Sequence, residues 1–532
     1  MTNFHSTVPN RDTQSRALRV TRAFVVLNLL AAIAAVSATA WARAPLELPL
    51  LGHAGWGLGL RLDAISVSLY ALVALVGAVV VRFSRSYFDG DPRRPGFLVD
   101  LCLTLTAVSL LVLAGNVLQL VLAWIGTSFG LNRLLLQFRD RPAVPAAAYK
   151  KFVVARLGDA LLIGAVAVLV LRFETAEIGP LLAEVRAAIG SGEAPLAVDL
   201  AAILLVLAAC MKSAQFPGHG WLIDMVEVPT PVSALLHAGL INAGGFLVIR
   251  FADVVAASPT AMVLLATIGA LTAVFGSLVT LTQTSVKVSL AYSTVAQMGF
   301  MLLQCGLGAF GAALVHLVAH SLYKAHAFAS SGSTIEAARL RPTALRPTQT
   351  SAPPRAWVVA TTMLVACAAV LAGAWAWGLT LAEEPALIAL GSILALGLTH
   401  VLVRAAALAR GPAGLGLVLE SAALAFAFAG VYFGLQRGVG ALVDGLVPEP
   451  GGLGLAATLG MLALVLVFAV VAVAQWLPAS RTHSRAWQRA YVALRHGLYV
   501  DQWLPWPGFA PDRPELASPS PLTHEPDPEQ IR

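Results

Sequence analysis

Apolar residues fall in long unbroken runs, separated by short polar loops. A helix needs roughly 20 apolar residues to cross a bilayer. Fourteen stretches come close to that length: 20–42, 62–82, 97–115, 117–137, 150–172, 197–213, 230–250, 260–282, 287–305, 309–331, 356–380, 386–409, 415–436 and 452–477. The runs are too long for strands and do not alternate, which excludes strands as the spanning element. The pattern predicts an all-α polytopic membrane protein with about 14 transmembrane helices.

The polar positions orient these spans. Arg82, Arg85, Arg93 and Arg94 follow the second span, and Arg139, Arg141, Lys150 and Lys151 follow the fourth. Arg339, Arg341, Arg346 and Arg355 follow the tenth, and Arg481, Arg485, Arg489 and Arg495 follow the fourteenth. Loops after odd-numbered spans are less basic, and two are acidic (Glu174, Glu177, Glu184; Glu383, Glu384). An even count of spans with both termini in the cytoplasm accommodates every loop. The expected organisation is a cytoplasmic segment over 1–19, N-terminal helices over 20–96 and a central core over 97–337. A cytoplasmic linker over 338–355, C-terminal helices over 356–477 and a cytoplasmic segment over 478–532 complete it. The last of these is rich in Pro, Asp and Glu, and is expected to be disordered after about residue 503. The first span ends in ATAWARA, similar to a signal-peptidase site, but the polar region before it is long for a signal sequence, so the span is expected to be retained.

Composition agrees with the pattern. Of 532 residues, 58% are hydrophobic and 12% charged, against about 45–50% and about 25% in a soluble domain. That excludes an ordinary soluble enzyme, a nucleic-acid binder and a disordered scaffold. The net charge of +7 resides in the loops. Cys102, Cys210, Cys305 and Cys367 stand far apart in apolar runs, without a CxxC or a Cys/His pair at zinc spacing. No cofactor is expected in this chain, and metal ligands are none.

The few charges inside spans carry the candidate chemistry. One at the bilayer centre costs about 2.5–3.5 kcal/mol on insertion scales, so such residues usually line a pathway. Arg156 and Asp159 are three apart and share a helix face; they read as an ion pair, or as a pair whose Asp159 also meets a lysine of another helix. Lys212 ends an apolar run and is followed by Pro217, Gly218 and Gly220, where a helix must break and free its carbonyls. Glu227 and His237 flank the next helix start, with Pro229 and Pro231 suited to a first turn. His316, His320 and Lys324 stand at i, i+4 and i+8, one polar stripe suited to proton relay. Lys287 begins the ninth span, and His400 and Glu420 are weaker candidates. The row reads as a proton or cation path. With no phosphate-binding glycine loop, nucleophile elbow or kinase signature, ATP-driven transport is disfavoured.

Four segments together are highly specific: RLDAISVSLYAL (61–72), KSAQFPGHGWLIDMVEVPTPVSALLHAGLINAGGFLVIRF (212–251), TQTSVKVSLAYSTVAQMGFM (282–301) and HLVAHSLYKAHAF (316–328). They resemble the proton-translocating antiporter-like subunits, which include the large membrane-arm subunit of respiratory complex I and the Mrp-type sodium/proton antiporters. The resemblance implies two inverted five-helix repeats, each with a broken helix, the first near Lys212–Gly220. It makes 97–337 an antiporter-like core and places Lys212, Glu227, His237, Lys287, His316, His320 and Lys324 at matching pathway positions. Two departures stand out: the relatives' glutamate after the span-four tryptophan is Ile125 here, and 356–380 lacks the charge expected in the second broken helix. Asp159 is expected to replace the missing glutamate as counter-ion. WxxTSxxLxxLLL (124–136), with ARLGD (155–159) and HAGLINAGGFL (237–247), is most similar to the DabB-type membrane subunits of the DAB inorganic carbon accumulation complex. That resemblance implies a transporter subunit, not an enzyme. Its partner would be a large cytoplasmic DabA-like protein whose zinc site, like that of β-carbonic anhydrases, hydrates CO₂ to bicarbonate. A proton/sodium antiporter or redox-pump subunit of a complex I-like or Mrp-like assembly, and an inactive membrane anchor, stay open beside it.

Overall fold

The computed structural model describes residues 11–42, 44–53, 56–141, 143–192, 195–340, 355–379, 385–408, 411–448, 455–474 and 485–500. The first half runs α1 (Arg11–Ala42), β1 (Leu46–His53), β2 (Trp56–Leu62), α2 (Ala64–Tyr87), α3 (Arg94–Val112), α4 (Val117–Leu136), α5 (Ala143–Phe173), α6 (Ile178–Ser191) and α7 (Pro195–Lys212). After it come α8 (Gly220–Asp224), α9 (Thr230–Ala238), α10 (Ala243–Arg250), α11 (Ala252–Ala256), α12 (Pro259–Thr280), α13 (Val286–Gly306), α14 (Phe310–Ala329) and α15 (Ser331–Leu340). The remainder is α16 (Ala356–Ala376), α17 (Pro385–Leu408), α18 (Gly411–Val443), α19 (Leu455–Ala474) and α20 (Arg485–Arg495).

Each of the fourteen apolar stretches coincides with helix, and the stretch 230–250 is divided between α9 and α10. Among the described residues, eleven helices are long and apolar enough to cross a membrane; α7, α14 and α19 are not among them. Most of the expected linker 338–355, and all of the tail after 503, lie outside the described residues. Several expectations are corrected. The run 178–191 is helix α6 rather than acidic loop, and the second span is shorter at its start because Leu62 ends a strand. Helix α5 begins at Ala143, not 150, so Lys150 and Lys151 are helical residues rather than loop markers, and Lys151 is buried.

One end of the array is closed by backbone. β1 pairs antiparallel with β2, and β2 continues onto the α3–α4 connection: Arg61 N donates to Leu113 O and Gly115 N to Gly59 O, each at 3.0 Å. That connection is bonded in turn to the α5–α6 connection, through Val117 N to Ala176 O at 2.9 Å and Ile178 N to Gly115 O at 3.0 Å. Beneath it, buried Asp63 caps α2 through the Ser66 amide at 2.9 Å and pairs with both Arg61 and Arg250. The other end gathers the basic loops. Arg93 meets Asp140 at 3.3 Å, Arg141 donates to Glu227 O at 2.7 Å, and Lys150 pairs with Asp224 at 2.9 Å. All these loops therefore share one side.

The main core runs continuously from α1 to α14, and a smaller one joins α16, α17 and α18. α12 and α13 approach closely. A Cβ on Gly299 would lie 2.5 Å from Ala273 N, and one on Gly269 would lie 2.5 Å from Leu303 N. Only glycine permits that backbone contact, the small-residue packing that membrane helices use in place of a hydrophobic drive.

Candidate functional site

α7 stops at Lys212 because Pro217 cannot continue it and Gly218 and Gly220 do not favour it. The Lys212 side chain crosses to α4. Its Nζ donates to Ser128 Oγ at 2.8 Å, Thr127 Oγ1 at 2.9 Å and Trp124 O at 3.1 Å, and lies 4.4 Å from the Trp124 ring centroid. An ammonium has three N–H donors, and three neutral oxygens take them. Asp159 is buried on α5 and ion-paired with Arg156 at 2.7 Å. It makes no ion pair with Lys212, and neither of its oxygens accepts a well-formed hydrogen bond.

A second cluster lies on α9, α13 and α14. Lys324 is fully buried; its Nζ donates to Ser293 Oγ at 2.9 Å and Leu290 O at 3.0 Å. His316 Nδ1 faces Gln304 Oε1 at 2.8 Å. His320 faces an oxygen on each side: Gln297 Oε1 at 2.5 Å from Nδ1, and His237 O at 3.2 Å from Nε2. Only the imidazolium can donate to both. With the Gln297 amide turned over, its NH₂ donates instead and the neutral ring is satisfied. The pair can therefore hold the site with or without the proton. His237 is buried, bonded to Thr294 Oγ1 at 3.0 Å and stacked on Phe328.

The two clusters meet at a second helix break, between α9 and α10 at Gly239–Asn242. Three carbonyls around it are taken by side chains. Ser213 Oγ donates to Ile241 O at 2.7 Å, Asn242 Nδ2 to Ala238 O at 3.1 Å, and His320 Nε2 to His237 O. Asn242 also donates to Ser321 Oγ at 2.8 Å. Ser213 follows Lys212 directly, so the two breaks are tied together. A cavity of about 50 Å³, mostly apolar but reached by Thr127, Asn242 and Ser321, lies between the clusters.

Of the residues expected from sequence, Lys212 and Asp159 share the first cluster, and His237, His316, His320 and Lys324 share the second. Glu227 and Lys287 do not join either. Glu227 is exposed at the end of the basic loops, and the half-buried Lys287 donates to Val228 O at 3.1 Å beside it. No group of His, Cys, Asp and Glu suited to a metal stands among the described residues. The sequence reading passed over Lys151, whose Nζ donates to Ser128 O at 2.6 Å, and the glutamines that face the histidines. Gln297 and Gln304 carry a usable signal: polar residues seven apart on one face of an apolar helix.

Comparison with known proteins gives the family. Residues 114–376 match the family model "NADH:quinone oxidoreductase/Mrp antiporter, TM". The chain is 41% identical to the probable inorganic carbon transporter subunit DabB2 of Halothiobacillus neapolitanus over 84% of its own length and 79% of that protein. It is 44% identical to the probable inorganic carbon transporter subunit DabB of Hydrogenovibrio crunogenus, over 52% of this chain and 53% of that one. NADH-quinone oxidoreductase subunit L of Mycobacterium tuberculosis is 36% identical over 52% of this chain and 44% of its own. Among solved structures, the Mrp complex of Dietzia sp. shares the fold, with a TM-score of 0.57 at 24% identity over 92% of this chain and 59% of that one. This multi-pass membrane protein belongs to the DabB inorganic carbon transporter subunits, within the complex I and Mrp antiporter-like superfamily.

Proposed function

We propose that the chain is an ion-translocating subunit that energises inorganic carbon uptake, with protons as the ion. The observation that carries the reading is Lys212, a lysine set at a helix break and ligated only by neutral oxygens. Protons enter at the hairpin end, pass His316, His320 and Lys324, and reach Lys212. Asp159, under-bonded beside Arg156, is the counter-ion Lys212 turns to. The change reaches a zinc-containing partner docked on the basic loops, where CO₂ is hydrated to bicarbonate. The gathering of those loops at one end supports a common cytoplasmic side, with α7, α14 and α19 completing fourteen spans.

One charge crossing 100 mV releases about 2.3 kcal/mol. A hundredfold accumulation of a neutral solute costs about 2.7 kcal/mol, at about 1.4 per tenfold. At that potential one proton falls short of this cost and two exceed it. The test is Lys212→Ala or Asp159→Ala, with assembly verified, in a carbonic-anhydrase-deficient host. Carbon uptake is expected to fall to background, and undiminished uptake overturns the reading. The likeness to Mrp and complex I subunits favours a second reading, an antiporter subunit; sodium-dependent flux without the zinc partner would establish it instead.

A further inference from the structure

Two lysines, not one, converge on α4. Lys212 donates to the Ser128 hydroxyl at 2.8 Å and Lys151 to the Ser128 carbonyl at 2.6 Å. Both line one cavity with Trp124, Thr127 and Trp221. The charged groups around Lys151 are Lys212 on α7 and Arg156 and Asp159 on its own helix; α4 offers only neutral oxygens there. Asp159 is engaged by Arg156, and among the described residues neither lysine has a carboxylate at ion-pair distance. Two ammonium groups on one serine in a buried site repel one another, and nothing beside them neutralises the second. The cell therefore suits one proton, not two. Its cavity of about 20 Å³ has room for about one water, which suits a proton and is too small for bicarbonate. Lys151 also stands one residue from Lys150, which pairs with the exposed Asp224 at 2.9 Å.

We propose that Lys151 is a second proton carrier that receives from Lys212 and passes the proton toward the end of the basic loops. In this step an N–H bond of the Lys212 ammonium breaks and a new N–H bond forms on the neutral Lys151 amine, directly or through a single water. Lys212 is left neutral and Lys151 charged. No electrons are exchanged, and the Ser128 oxygens hold whichever amine is charged. The inference rests on the proton-translocation reading above.

The test separates carrier from strut. In vesicles holding the complete complex, partner-dependent, uncoupler-sensitive proton flux is measured for wild type, Lys212→Ala, Lys151→Arg and Lys151→His. Arginine keeps the cation and the bond to Ser128 O but does not release its proton. Lys151→Arg is expected to lower flux about 10²-fold, whereas Lys151→His, which titrates, is expected to retain part of it with an altered pH profile. Flux through Lys151→Arg equal to wild type overturns the proposal while Lys212→Ala still reports on the general reading. Should Lys151→Arg fail to assemble, Lys151→His decides alone: an unchanged pH profile overturns the proposal. Absence of flux in wild type overturns both readings.

Discussion

Between residues 143 and 324, Lys151, Asp159, His237, Arg250, His320 and Lys324 are all buried. Between 356 and 474, the charged side chains of the described residues, Arg404, Glu420, Arg437 and Asp444, are all exposed. Both regions are apolar helices, so hydropathy does not separate them. The difference lies in what surrounds each charge. In the first region broken helices and hydroxyl-bearing faces supply oxygens: Thr127 and Ser128 for Lys212, Ser293 and Leu290 O for Lys324. The second region is packed with Ala366, Ala369, Ala425, Ala429 and Phe433, which hold helices together but solvate nothing. In the first region a buried charge meets a hydroxyl, a carbonyl or an opposite charge, as Lys324 meets Ser293 and Arg250 meets Asp63.

Five substitutions test this contrast, in decreasing order of effect. Asp63→Ala leaves Arg250 buried without its carboxylate, and is expected to cost about 3–5 kcal/mol, read as a lower thermal unfolding midpoint of the purified complex. Lys324→Met removes a charge from the first region while keeping its volume. Proton flux in vesicles is expected to drop about 10²-fold with assembly intact; retained flux would dissolve the contrast. Gly299→Ala drives a methyl into the Ala273 backbone and is expected to cost about 1–3 kcal/mol, measured by unfolding. Glu420→Gln and Arg404→Gln, in the second region, are each expected to stay within about 0.5 kcal/mol and to leave flux unchanged. A large flux loss from either would place ion handling in both regions. Loop charges are the reference for such small effects. The hydrogen bond from Arg93 holds the Asp91 carboxyl below its usual range, so its slight contribution is present above the unfolded value and fades as pH falls through the folded one.

Much of the site is legible in the sequence where the signal is local. The stripe of His316, His320 and Lys324 follows from helical spacing, and the break after Lys212 follows from the proline and glycines that come next. What pairs across the fold is not legible. Thr127 and Ser128 become ligands only when α4 meets α7. Asp63 and Arg250 are 187 residues apart in the chain. Lys151 sits beside Lys150 just past a basic loop, so charge counting assigns both to the surface; only the earlier start of α5 turns one of them inward. The hairpin is not legible either, because LELPLLGH is apolar without strict alternation and lies between two spans. Glu227 matched its motif yet faces outward, since a motif fixes position along the chain and not depth.

The glycine contact between α12 and α13 has a consequence for energy conservation. α13 carries Ser293, Thr294, Gln297 and Gln304, the wall against which His316, His320, His237 and Lys324 rest. Behind that wall the two backbones touch, at Gly299 against Ala273 and at Gly269 against Leu303. No file of water fits through backbone contact. On the proton path proposed above, the seam acts as electrical insulation, keeping a charge in the row from leaking sideways and dissipating the membrane potential as heat.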